Sequence, residues 1–182
     1  MNRQRGFSLI ELLIVVAIIL IIASIAVPQL LRARMAANEA SAVASMKQIG
    51  VAQATYQSFY GIGYAGQLIH LGPAGGGCAG VSSACADLLD ATLSGQSPPT
   101  PTPVKSGYQF TLYAPSPIPT AAAPNTTYSI VATPTAPNST GVSTFCFDNT
   151  IAVMKDTLGT TTTATAVGCN PTWPVGPSVG PL

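Results

Sequence analysis

The chain has 182 residues, with 7 Lys and Arg against 6 Asp and Glu and a formal net charge of +1. Charged residues make up 7% of it, against about 25% in average soluble domains, so there is no basic field to grip phosphates and nucleic-acid binding by charge is excluded. The length suits one domain with an appended segment, and 17 Gly and 16 Pro without a Gly-X-Y period exclude collagen.

From Phe7 to Leu31 the only ionisable side chain is Glu11, and the run is long enough to cross an apolar layer of ~30 Å as a helix. Arg3 and Arg5 precede it without an acid, which places the amino terminus in the cytoplasm and everything after Leu31 outside. Three fates compete for this segment. A secretory signal peptide would be cut after Ser24-Ile25-Ala26, but Pro28 crowds that site and Glu11 interrupts the apolar run. A plain anchor gives no reason for an acid at bilayer depth, where it costs roughly 2.5–3.5 kcal/mol unless neutralised.

The third fate comes from resemblance: Arg5-Gly6-Phe7-Ser8-Leu9-Ile10-Glu11-Leu12, followed by an apolar run and Pro28, resembles the leader and first helix of a type IV prepilin. The resemblance implies a six-residue leader (1–6), cleavage between Gly6 and Phe7 by a membrane-embedded prepilin peptidase, and methylation of the new Phe7 amine. It also implies that Glu11 pairs with the amine of an adjacent subunit, so that one buried ion pair sets the register of assembly. Elementary electrostatics agrees, because an amine and a carboxylate four residues apart in apolar surroundings are each costly to desolvate alone.

Pro28 removes one backbone donor and is expected to kink the helix. Beyond it, Ala36, Ala40, Val43, Met46, Ile49 or Gly50, Gln53, Tyr56 and Tyr60 recur at three- and four-residue spacing, which predicts an amphipathic helix over 32–60 ending near Gly61. Arg32, Arg34, Glu39 and Lys47 fall on its other faces. With the membrane segment 7–31 this makes one continuous helix of ~80 Å, and Tyr56, Phe59, Tyr60 and Tyr64 are expected to pack its end against a sheet.

The head, 61–182, begins with a Gly-rich and then Pro-rich stretch with room for one short helix over Asp87–Leu93. Alternating runs at 107–113, 127–132, 144–147 and 151–155, bounded by turn formers, predict four antiparallel strands, the last two joined through Asp148-Asn149-Thr150. The expected fold class is therefore α+β, a long helix packed on a small antiparallel sheet with Gly/Pro-rich loops. A looser resemblance to a bacterial pilin-like head implies a strand over Lys105–Phe110, a Tyr-x-Ile-x-Ala strand and a Phe-x-x-Asp hairpin.

Four cysteines in an exported chain allow three connectivities, of which Cys78–Cys85 (local) and Cys146–Cys169 (tying the tail to a strand) are favoured. No Cys-x-x-Cys or His cluster offers a metal site, and no cofactor is expected. His70 reads as a surface-loop histidine, no nucleophile elbow or phosphate loop is present, and no enzyme is expected. Asn125-Thr126-Thr127 and Asn138-Ser139-Thr140 match the glycosylation pattern, as chance alone provides in so Ser/Thr-rich a chain. Thr160–Thr165 and the tail from Pro171 read as a polar, partly disordered surface, with Trp173 placed to pack back onto the head.

The functional expectation is a pilin subunit of an extracellular type IV pilus-like filament. Its partners would be further copies of itself, the prepilin peptidase, the inner-membrane assembly platform and, before assembly, the membrane. The competing readings are a type II secretion pseudopilin, a minor or competence pilin, and a membrane-anchored or secreted binding module.

Overall fold

The computed structural model describes residues 8–74, 80–96, 102–150, 152–162, 164, 168–169 and 179–181. It divides into two compact units, Met1–Arg34 and Met35–Leu182. Helix α1 runs from Leu9 to Tyr60 and contributes to both. In the first unit no side chain of 8–34 is buried, and the apolar length of the helix is open throughout.

In the second unit, the end of α1 is followed by a 3-10 turn, Leu68–Leu71, and a one-turn helix α2, Ala91–Ser94. Asp90 caps α2 through Oδ1, which accepts from the Leu93 N–H at 2.8 Å, and Gly95 closes it at φ 77°. The predicted helix over Asp87–Leu93 is therefore shorter and later than expected: the Asp side chain serves as a cap instead of continuing a turn.

Six strands follow: β1 (Val104–Lys105), β2 (Tyr108–Tyr113), β3 (Ser129–Pro134), β4 (Thr144–Asp148), β5 (Val153–Asp156) and β6 (Val179–Pro181). They form one antiparallel meander in chain order. The expected α+β architecture is thus present, with two more strands than the sequence predicted. Lys105–Phe110 is not one strand: Ser106 (φ 51°) and Gly107 (φ 72°) make a two-residue turn between β1 and β2, the left-handed pair that matches the twist of a tight hairpin. The tail also returns to the sheet, since β6 pairs with β5 at Lys155↔Gly180.

The core lies between residues 42–56 of α1 and the sheet. Ala42, Met46, Ile49, Ala52 and Tyr56 share one core with Tyr108, Phe110, Ile130, Ala132, Phe145 and Phe147, and Leu68, Leu71, Leu89 and Leu93 belong to it as well. Gly50 permits the close approach, because a Cβ there would stand 2.5 Å from the Phe147 ring. Val131, Cys146 and Cys169 form a second small cluster around the disulfide Cys146–Cys169, whose Cα atoms are 5.8 Å apart. Cys85 is disulfide-bonded, while Cys78, the other end of the expected local bridge, lies outside the described residues, as does Trp173.

Candidate functional site

Two features carry functional weight: the open apolar length of α1 and the polar joints that hold its later part to the sheet. In the first, Leu9 to Leu31 presents Leu, Ile and Val on every side, and none of that stretch is buried. Such a helix is long and apolar enough to cross a membrane. Glu11 sits in the first turn, where the N–H groups of Glu11 and Leu12 donate to the Ser8 carbonyl at 3.1 and 3.2 Å. An acid at this helix end also meets the positive pole of the backbone dipole. Gly6 and Phe7 lie outside the described residues. The helix passes through Pro28 without interruption, and the Ser24 hydroxyl donates to the Ile21 carbonyl at 2.7 Å.

The second feature corrects the sequence reading. Ala36 and Ala40, assigned to the head-facing stripe, are exposed, and Glu39, assigned to another face, turns toward the head. Polar contacts decide this stretch. Glu39 Oε1 accepts from the N–H groups of Val142 (3.2 Å) and Ser143 (3.1 Å), and its Oε2 accepts from Lys155 Nζ at 3.1 Å. Burial alone would raise the Glu39 carboxyl, but the Ser143 and Val142 N–H groups and Lys155 outweigh it and hold the group below its ordinary 4.5. Lys155 also stands 5.6 Å over the Phe145 ring. Asn38 Nδ2 donates to the Thr140 carbonyl and Ser41 pairs with Ser106, so three polar side chains hold one turn of α1 to the sheet's loops. From Met46 onward the expected spacing holds, with Met46, Ile49, Gln53 and Tyr56 buried.

Further on, Gln53 makes a two-point clamp on Ala65, accepting its N–H at 2.8 Å and donating to its carbonyl at 3.1 Å. Tyr56 is buried and its hydroxyl donates to the Ser83 carbonyl, but Phe59, expected to pack on the sheet, is 83% exposed.

The remaining sequence candidates separate clearly. Asn125 is 1% exposed: its Oδ1 accepts from the Ser116 N–H, and its Nδ2 donates to the carbonyls of Tyr64 and Ser116. It is a buried pin for the loop between β2 and β3, inaccessible to a glycan. Asn138 sits exposed in a turn at φ 62°. His70 is part of the 3-10 turn instead of an open loop, with Nδ1 buried and unpartnered, and burial pushes its pKa below 6.5. Thr160 and Thr161 are ordered by Asp156, whose carboxylate accepts from the N–H groups of Leu158, Thr160 and Thr161. Asp148 likewise joins the hairpin turn to the tail, accepting from the N–H groups of Thr150 and Cys169. Sequence reasoning missed these pins; for Asp148 and Asp156 the available signal was an Asp at a strand end with Thr one or two residues on.

The comparisons bear on the amino-terminal third. Residues 1–27 match the family described as "Prokaryotic N-terminal methylation motif". The chain is 46% identical over 57 residues to the "Type IV wide pilus major component PilA4" of Thermus thermophilus, which is 31% of this chain and 44% of that protein. It is 43% identical over 56 residues to the "Type IV major pilin protein PilA" of Myxococcus xanthus, 31% of this chain and 26% of that one. The chain therefore aligns with less than half the length of either relative. No solved structure matches.

Proposed function

We propose that this chain is the structural subunit of a type IV pilus-like filament, with no catalytic role. The observation that carries the proposal is one helix with two surfaces: an apolar length none of whose side chains is buried among the described residues, and a later stretch locked to a closed head. A helix of that kind needs lipid or other copies of itself around it. The methylation motif over residues 1–27, and relatives named as major pilus subunits, support the same reading.

In this reading residues 1–6 are a leader removed by prepilin peptidase between Gly6 and Phe7, and the Phe7 amine is methylated. Residues 7–31 hold the protein in the inner membrane with its head outside until the assembly platform extracts it, and then form the filament core. Residues 32–60 carry the head, and the finished filament stands on the cell surface. Glu11 meets the Phe7 amine of a neighbouring copy and sets register. Pro28, which deprives the Ser24 carbonyl of its backbone donor, is where the helix bends or loosens during extraction.

The test is the mature amino terminus, read by mass spectrometry on membrane and sheared surface fractions. Methylated Phe7 in both fractions is the expected result, with the protein dominating the sheared material as a major subunit does. Intact Met1, or a terminus at Val27, would overturn the proposal in favour of an anchored or secreted binding module. Low abundance on the surface with correct processing would point to a minor pilin or a secretion pseudopilin.

A further inference from the structure

Resting on the filament reading, we infer that Glu11 of one copy pairs with Arg32 or Arg34, whichever faces it, on a second copy displaced along the helix by about 32 Å. Within 8–34 the ionisable side chains are Glu11 at one end and Arg32 and Arg34 at the other, with none between. All three are exposed, and the salt bridges among the described residues lie elsewhere, at Lys105–Asp90 and Lys155–Glu39.

One helix cannot bring these charges together, because the 21 positions from Glu11 to Arg32 span about 32 Å at 1.5 Å per residue. In a bilayer with an apolar core of ~30 Å they would sit at opposite faces, each within reach of water or headgroups. When the helices leave the lipid and pack on one another, those surroundings are lost, and a lone charge against Leu, Ile and Val becomes expensive.

Copies inserted in one direction are parallel. Without displacement, Glu11 would lie beside Glu11 and arginine beside arginine. A displacement of 21 residues instead sets opposite charges side by side. That is three heptads, so Glu11 and Arg32 occupy the same seam position, with a drift of about 60° that an Arg side chain can span. Arg34 lies about 200° around the helix from Arg32, so a guanidinium faces the upper copy on either side of the lower one. A carboxylate offers acceptor sites enough for both a guanidinium and the Phe7 amine. Membrane orientation does not explain the arginines, since cations just beyond the outer end oppose the bias set by Arg3 and Arg5.

The experiment compares wild type, R32Q/R34Q and R32K/R34K in the native host. Wild-type filaments are the baseline, and their absence would sink the filament reading, not the pairing. With them present, R32Q/R34Q is expected to be inserted and processed normally but to lower sheared filament yield by about tenfold or more, as loss of a buried charge partner does. R32K/R34K is expected to keep filaments, and a membrane-permeant carbodiimide should then join Glu11 to an amine introduced by R32K or R34K, giving a covalent dimer whose peptide is identified by mass spectrometry. Normal yield from R32Q/R34Q, or R32K/R34K filaments in which Glu11 couples only to the Phe7 amine or to nothing, would overturn the inference.

Discussion

The first unit and the second satisfy their apolar surface in opposite ways. Residues 8–34 bury no side chain, whereas the head encloses Tyr56, Tyr108, Phe110, Phe145 and Phe147 almost completely. The head also ties its buried amides and carboxylates into hydrogen bonds at Gln53, Asn125, Asp148 and Asp156. One unit is finished by its own chain; the other leaves its apolar side chains open among the described residues. The same helix is therefore conventional core on one part of its length and, on the other, an open apolar surface that the proposed filament would bury, and changes in the two parts should report in different assays.

The head's independence is tested most severely at its disulfide. Replacing Cys146 and Cys169 by Ser opens a loop of 23 residues and is expected to lower head stability by about 3 kcal/mol, read as an earlier melting transition of the full chain in detergent. Asn125→Ala removes three hydrogen bonds from a buried site and should cost about 2–3 kcal/mol in the same measurement. Gly50→Ala would ordinarily favour a helix, but here the new methyl meets the Phe147 ring, and a net loss of about 1–2 kcal/mol is expected.

Glu39→Gln keeps the shape while removing the charge that Val142, Ser143 and Lys155 share, with an expected loss of about 1 kcal/mol at neutral pH. Because the folded Glu39 and Asp156 carboxyls lie below 4.5 and 3.8, their contribution is complete above those values and disappears as pH falls toward the folded ones. His70 acts earlier: the unfolded chain takes up its proton near 6.5 while the folded chain resists, so stability begins to decline below that pH. A melting series from pH 7 to 3 should show both steps, and Glu39→Gln should flatten the lower one. The smallest effect sharpens the contrast. Glu11→Ala should shift head melting by less than ~0.5 kcal/mol while filament yield collapses; a large shift in melting would mean the units are not independent.

Much of this was readable from the residues. The apolar run with its single acid needed no structure, and the alternation in Tyr108–Tyr113 and Thr144–Asp148 located central strands. The misses share a cause. Val104–Lys105 is too short for periodicity, and Val-Gly-Pro at β6 has poor strand character, so both are strands only because a neighbour offers a register. Glu39 was misassigned for a related reason: its charge set it apart from the apolar stripe, but two loop N–H groups and a lysine converge on it from more than 100 residues away. Asn125 matched a modification pattern while serving as a buried pin, which only three-dimensional neighbours reveal.

The position of β6 governs the order of events during synthesis. β5 has one edge vacant until residues 179–181 emerge, and Cys146 lacks its partner until residue 169 does. A head delivered amino end first must therefore wait, partly built, for residues 179–181. Extensions or tags placed after β6 would act on the step that closes the sheet, so a label intended to be silent belongs at the exposed turn around Asn138.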